Sequence, residues 1–502
     1  MYRFVRTKAN DLKNAILKMN GISENQLDIK AFAPDLSQEP FLMFKEKLLE
    51  LKDKRFLIVG DYDCDGICAT AIMRRLLEYL KIRVNHYIPS RTREGYGINN
   101  NIVTMAKENG FDVILMVDNG IVANDVLAYA KDLSITTMII DHHEYQHLPE
   151  CNYVLHPSLL KNGYRDLCAG GLCAYLSMLF YDDAYSLVLG GLATLADMVR
   201  VFDANRYLLV KMLEILNHGE IYQINLLADS VKYSYDTLSF KVIPKINAIS
   251  RMGNMANVNL VVRYLLSNKE EASRTFAYIN DINSRRKQLS EKMSLEAMEL
   301  LDDSKAILLV RSTSFHEGLC GLVANRLLSK FNRPIIVLAE NDGVLKGSGR
   351  SPAGFDLYEC LSHFKDDYLS FGGHANAVGL SFDTSFYEKF VSYLAETDVS
   401  YLDIDKDVLL VDDLEVSVLE TLEDLRPFGT GFPEPLFALD KSLSTSFFMI
   451  KGLYPKFSFG NSLSAICFDK GKCKDDWQYL IGKLSKDSYR KSALSLNVED
   501  FI

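Results

Sequence analysis

Three runs of this chain are apolar without interruption, and each ends in carboxylates or imidazoles. Phe56-Leu57-Ile58-Val59-Gly60 runs into Asp61-Tyr62-Asp63-Cys64-Asp65-Gly66. Val113-Ile114-Leu115-Met116-Val117 runs into Asp118-Asn119-Gly120, and Thr136-Thr137-Met138-Ile139-Ile140 into Asp141-His142-His143. A strand with one wet face alternates apolar and polar residues, so continuous runs predict strands buried on both faces, in a parallel sheet covered by helices. In such α/β sheets ligands bind beyond the carboxyl ends of the strands, which is where these polar residues fall.

A further carboxylate, Asp197, continues the uncharged stretch from Ala184 to Ala196. A carboxylate buried there needs a cation, and the stretch is too short to span a membrane. Oxygen and imidazole ligands hold divalent ions that activate water, and a pair of ions can hold both the attacking and the leaving oxygen of a phosphoryl displacement. A ligand set that is mostly carboxylate favours Mn²⁺ or Mg²⁺ over a thiolate-loving metal, although Zn²⁺ or Co²⁺ fits the same cage in vitro. Alternating Asp before Gly66 also resembles the start of an EF-hand loop, but no bidentate Glu follows at the required offset and the segment leaves a strand. The residues point to metal-assisted phosphoester hydrolysis.

Taken in order, Asp-x-Asp-x-Asp-Gly at 61–66, Val-Asp-Asn-Gly at 117–120, Asp-His-His at 141–143 and Ala-Asp at 196–197 resemble the DHH phosphoesterase superfamily, in particular its single-strand-specific 5′→3′ exonucleases. The resemblance extends through Arg91-Thr-Arg93-Glu-Gly-Tyr-Gly97, Pro244-Lys-Ile-Asn-Ala-Ile-Ser-Arg251, His316-Glu-Gly-Leu-Cys-Gly, Gly347-Ser-Gly-Arg350-Ser, Phe371-Gly-Gly-His374 and Arg426-Pro-Phe-Gly429, nearly the whole chain. It implies that Asp63, Asp65, Asp118, His142, His143 and Asp197 are the catalytic metal-site residues, with Asp61 standing where many members carry a histidine. It also implies two Mn²⁺ or Mg²⁺ ions as cofactor. Asp141 is expected to orient an imidazole rather than bind metal, and Cys64 to fill space at the strand end.

Phosphate binding is expected from Ser348 and Arg350, because Gly347-Ser348-Gly349 lets backbone approach an anion and a guanidinium offers planar paired donors. His374 and Arg251 join them by resemblance, Arg251 as a holder of a 5′-terminal phosphate, and Arg91 and Arg93 are candidate DNA contacts.

Of 502 residues, 48% are apolar, enough for the cores of about three domains. The reading places a helical lead-in at 1–50, the DHH catalytic domain at 51–229, a helical region and connector at 230–303, and a smaller α/β DHH-associated, substrate-binding domain at 304–385. A linker at 386–407 leads to an OB-like β-barrel at 408–502, with Gly460-Asn461 as one of its turns and a groove suited to single strands. The connector helix is expected from about Asp281 to Asp302, with Ser284-Arg285-Arg286-Lys287 and Lys292 as either its solvated face or a DNA contact. Nine cysteines, odd in number and without a Cys-x-x-Cys, fit reduced thiols, and the first residues lack a secretory apolar region. A cytoplasmic monomer is expected. A net charge of −10 counts against a generic nucleic-acid binder but is compatible with a narrow basic groove on an acidic body. The activity these features imply is single-stranded DNA degradation from the 5′ end in recombination and repair, with a helicase and a single-strand-binding protein as further partners. A phosphodiesterase of short oligonucleotides or cyclic dinucleotides and an inactive replication scaffold are the alternatives.

Overall fold

The computed structural model describes residues 2–502 except 30, 31, 33, 92, 402–404, 461, 469–472, 475 and 488–492; Asn461 of the expected turn is therefore outside the described residues. The chain forms two compact units, Phe32–Tyr401 and Met1–Ala31 with Leu402–Ile502. Among the described residues no helix is long and apolar enough to cross a membrane.

The first strand, β1 (Tyr2–Thr7), belongs to the second unit. In the first unit, β2 (Arg55–Gly60), β3 (Arg83–Tyr87), β4 (Val113–Val117), β5 (Thr136–Ile140) and β6 (Tyr153–Leu155) form a five-stranded sheet in the order β3-β2-β4-β5-β6, parallel at every pairing. The apolar runs are its central strands: every residue of Val113–Val117 is buried, as are Phe56 to Gly60 and Thr137 to Ile140. One face packs Leu57, Val59, Ile114, Met116 and Ile139 against Ile102, Val103 and Leu127 of the helices Asn100–Glu108 and Asn124–Asp132. The other carries the helix Cys64–Tyr79, which packs on the apolar helices Ala169–Met178 and Ala184–Ala196. Because β2 lies between β3 and β4, the chain leaves its carboxyl end in one direction and returns on the other side, which opens a crevice between the ends of β2 and β4.

Helices then lead to a 32-residue connector, Lys269–Leu300, capped by Asn268, whose side chain accepts the Glu271 N–H. It starts a dozen residues before the expected boundary. Beyond it β7 (Leu308–Ser312), β8 (Ile335–Asn341), β9 (Val344–Arg350), β10 (Ser370–His374) and β11 (Ala377–Asp383) form a mixed sheet in the order β10-β11-β9-β8-β7. The β8–β9 hairpin turns at Asp342-Gly343, both with positive φ, as an Asp-Gly turn requires.

In the second unit β12 (Lys406–Val411), β13 (Leu436–Asp440), β14 (Ser446–Ile450), β15 (Tyr454–Phe459), β16 (Leu463–Ile466), β17 (Tyr479–Lys486) and β18 (Leu494–Phe501) join β1 in one eight-stranded sheet ordered β1-β12-β13-β17-β18-β16-β15-β14. Among the described residues the sheet does not close on itself. Residues 1–50, expected as a helical lead-in, do contain the helices Leu12–Asn20 and Glu39–Glu50. They open, however, with a strand paired in parallel to β12, Val5 opposite Leu409.

Candidate metal centre and phosphate-binding cluster

The turn after β2 is built from backbone packing. A Cβ on Gly66 would lie 2.6 Å from the Asp61 carbonyl oxygen, and one on Gly60 would lie 2.0 Å from Thr70 Oγ1. Glycine at both places lets the helix Cys64–Tyr79 start directly behind the strand. Asp63 caps that helix, its carboxylate accepting the N–H groups of Asp65 (2.9 Å) and Gly66 (3.2 Å). Asp65, buried in the first turn, accepts from Ala169 N (3.0 Å) and Gly170 N (2.6 Å) at the start of the helix Ala169–Met178. A Cβ on Gly170 would stand 2.8 Å from Asp65 Oδ1, so this contact depends on glycine.

Asp118 follows β4 in the left-handed region, φ 62°, and Asn119 ties the strand ends together by donating to the carbonyls of Val59 (3.0 Å) and Val117 (2.9 Å). Asp197 closes the helix Ala184–Ala196.

These side chains converge. His142 Nε2 lies 3.3 Å from Asp118 Oδ1 and 3.7 Å from Asp65 Oδ2, and its Nδ1 lies 3.7 Å from Asp197 Oδ2. Ligand atoms of Asp118, His142 and His143 lie within 4.8 Å of one another, as do those of Asp65, His142 and Asp197 and those of Asp61, Asp63 and Asp118. Sharing of Asp118 and His142 between groups makes the groups adjoining, a layout suited to a pair of ions. Oδ1 of Asp61 and Oδ1 of Asp118 are buried with no hydrogen-bond partner among the described residues. Buried polar atoms are rarely left unpaired, so these oxygens and the hard-donor set fit a divalent cation.

Charge follows the same logic. Burial, and then the charges of their neighbours, push the carboxyls of Asp61 and Asp118 far up, Asp65 to about 7 and Asp197 to about 8. Burial and the nearby His143 hold His142 down at about 4, a neutral imidazole able to bind metal. Burial also opposes a charge on His143, but Asp141, 2.7 Å from its Nδ1, outweighs it and lifts His143 to about 9. Asp141 also accepts the N–H groups of Ile121 (3.0 Å) and His142 (2.7 Å). Its carboxylate thus contacts His143 and accepts from these two backbone donors besides.

Of the expected phosphate binders, Ser348 and Arg350 stand two apart on β9 and share a face. A Cβ on Gly321 would lie 3.0 Å from Arg350 Nη2 and 3.4 Å from Ser348 Oγ, so this glycine of the His-Glu-Gly-Leu-Cys-Gly segment gives the guanidinium its space. Arg251 ends the helix Ile243–Arg251. Burial and the like charges of Arg91, Arg286 and Arg350 pull it down to about 10, with Asp63 acting in the opposite sense. The Arg91 guanidinium lies 5.0 Å from the centroid of the Tyr62 ring. Arg91, Arg251 and Arg350 therefore form one positive cluster within reach of a metal-site carboxylate. His374 is exposed on β10, in a row of the sheet with Ala377 and Arg350, which puts its backbone roughly 10 Å from that of Arg350. Arg93 is exposed and, with Arg91 and Asn254, lines a cavity of about 400 Å³.

Several contributors escaped the sequence reading. Tyr96 donates to the Asp118 carbonyl (2.9 Å) and lies 3.2 Å from His143 Nδ1. Its place in Glu-Gly-Tyr-Gly was the available signal. Cys168 caps the helix Ala169–Met178, its Sγ accepting the Gly171 N–H (3.4 Å), and helps hold the Asp65 carboxyl down against burial. Arg286, whose basic run reads in sequence as a solvated face or a DNA contact, carries its charge to Arg251.

Residues 55–196 match the DHH family N-terminal domain, 303–397 the DHHA1 domain and 405–500 the RecJ OB domain. The chain is 31% identical over 408 residues to the single-stranded-DNA-specific exonuclease RecJ of Bacillus subtilis (strain 168), covering 76% of this chain and 52% of that protein. It is 30% identical over 431 residues to the enzyme of that name from Salmonella typhimurium, covering 76% of this chain and 74% of the relative. The chain thus spans about half the length of the first and about three quarters of the second. The crystal structure of RecJ in complex with Mn²⁺ from Thermus thermophilus shares its fold, with a TM-score of 0.83 at 24% identity over 100% of this chain and 79% of that one. The domain matches occur in the order of the sheets described above, and the chain belongs to the RecJ family of single-stranded-DNA-specific exonucleases.

Proposed function

We propose that this chain is a metal-dependent exonuclease that hydrolyses single-stranded DNA from the 5′ end to mononucleotides in DNA recombination and repair. The observation that carries the reading is the cluster of buried Asp61, Asp65 and Asp118 with half-buried Asp63, His142 and Asp197, in which one oxygen each of Asp61 and Asp118 lacks a hydrogen-bond partner among the described residues, next to the guanidinium groups of Arg91, Arg251 and Arg350. Those carboxylates and His142 would hold Mn²⁺ or Mg²⁺, which activates water for attack on phosphorus and neutralises the displaced oxygen. Asp141 holds the His143 imidazolium in place beside them. Arg350 and Ser348 bind the phosphate under attack, where a guanidinium's paired donors take up developing charge, and His374 approaches from the same sheet. Arg251 and Arg91 hold the 5′-terminal phosphate and so set the direction of cutting. Long strands are followed by the sheet of the second unit. A helicase and a single-strand-binding protein are the partners such an enzyme calls for, since its substrate is an exposed 5′ single strand, and the cytoplasm is its proposed location.

The test is incubation with Mn²⁺ and single strands labelled at the 5′ or the 3′ end. Immediate release of labelled mononucleotide from the 5′-labelled strand alone supports the reading. Intact strands with rapid cleavage of dinucleotides would instead indicate a small-substrate phosphodiesterase, and no turnover of either would leave a scaffold.

A further inference from the structure

The basic run Arg285-Arg286-Lys287 in the middle of the connector helix is divided by its packing. Arg285 and Lys287 are exposed, and Arg285 pairs with Asp281 at 2.9 Å on the same helix. Arg286 turns inward. Its Nη2 donates to Oδ1 of Asn283 (2.9 Å), itself buried at 3% exposure, and its Nε is buried with no hydrogen-bond partner among the described residues. No carboxylate forms an ion pair with it among the described residues. The connector packs against the helix Ile243–Arg251, and the charge of Arg286 acts on Arg251 alongside those of Arg91 and Arg350. Burial lowers the pKa of Arg286 as it does that of Arg251.

A guanidinium cannot shed its proton to escape such a setting. A partly buried cation with an idle donor, placed among other cations, is stabilised when an anion from outside enters the group. The surrounding residues come from separate parts of the unit. Arg91 is on the loop after β3, Arg251 ends its helix, Arg350 ends β9, and Arg286 lies on the helix that links the two sheets. An anion in their midst would tie these parts together.

We propose that Arg286 is a phosphate-binding residue of the substrate cleft, sharing with Arg251 the phosphate at the 5′ end of the strand. The proposal deepens the function above and rests on its placement of a DNA phosphate in the arginine cluster. Arg286 then contributes to preference for a phosphorylated over a hydroxyl 5′ end, and the connector helix senses the same group as the domains on either side.

The test uses the full chain and the variants Arg286→Gln and Arg286→Lys. Inorganic phosphate is titrated calorimetrically into each, and hydrolysis of one oligonucleotide is followed with a 5′-phosphate or a 5′-hydroxyl. Arg286→Gln is expected to weaken phosphate binding about tenfold, with Arg286→Lys between it and the parent because a lysine keeps the charge but not the paired donors. The ratio of kcat/KM for the phosphorylated over the hydroxyl strand should fall several-fold in Arg286→Gln. A purely structural residue would lower Tm and slow both strands alike, leaving the ratio intact. That result, or unchanged phosphate affinity, would overturn the proposal. If the parent cuts no DNA at all, the exonuclease reading fails, while the phosphate titration still decides the role of Arg286.

Discussion

Asp61 and Asp118 each bury an oxygen that no described residue satisfies, and around them the carboxyls of Asp65 and Asp197 sit at about 7 and about 8 against an ordinary 3.8. A carboxyl raised above its unfolded value adds stability below that unfolded value, and the contribution is lost as pH rises through the folded one. The metal-free protein should therefore unfold at progressively lower temperature as pH rises from about 4 to about 8. Mn²⁺ should restore most at the upper end, since protons no longer compete for its ligands. Thermal unfolding with chelator and with Mn²⁺ at both ends of that range checks this; a metal-induced rise in Tm that is the same at both would count against it. The carboxylates were legible because each interrupts or ends an apolar run, and a charge in that position has to be explained. Arg286 was legible only as part of a basic run, because an inward arginine on an amphipathic helix looks like its exposed neighbours until the packing around it is known.

At the scale of elements, the central parallel strands were legible for the same reason, and the helix Ala184–Ala196 because it is devoid of charge; the helix Ala169–Met178, with no charged residue to mark its end, was not singled out. The strand β1 was not. Tyr-Arg-Phe-Val-Arg-Thr is an edge strand with a mixed burial pattern, and its partner Lys406–Val411 lies some four hundred residues away, where no local pattern can announce the pairing. The early start of the connector was missed although Asn268 with Glu271 is a helix-start signal. Contacts between elements also make a prediction. Gly318 packs so closely on the helix carrying Arg251 that a Cβ would lie 2.1 Å from the Arg251 carbonyl oxygen. Gly318→Ala should destabilise the fold by about 1–3 kcal/mol through overpacking. It should weaken phosphate binding while leaving Mn²⁺ affinity near that of the parent, as paired calorimetric titrations would show. Equal loss of both ligands would mean that Arg251 is not positioned through this contact.

For the whole molecule, the chain divides into Phe32–Tyr401 and the unit formed by both of its ends, with the chemistry proposed for the first and the holding of long strands for the second. The candidate metal ligands and Arg91, Arg251, Arg286 and Arg350 all lie in the first. A chain trimmed to residues 32–401 should fold cooperatively and cleave dinucleotides with Mn²⁺, while binding a long single strand at least about tenfold more weakly, given that each stacked base is worth about 1–3 kcal/mol. Comparing hydrolysis of dinucleotide and long strand by parent and trimmed chain tests the division; undiminished affinity for the long strand would place strand binding wholly in the first unit. The most direct measurement of all is calorimetric titration of Mn²⁺ into the metal-free parent and into Asp118→Asn. The carboxylate cage predicts saturable binding to the parent that is weakened by about tenfold or more in the variant, as loss of a charged ligand shared between adjoining sites requires. Equal affinity in both, or no saturable binding to the parent, would contradict the metal centre on which the account rests.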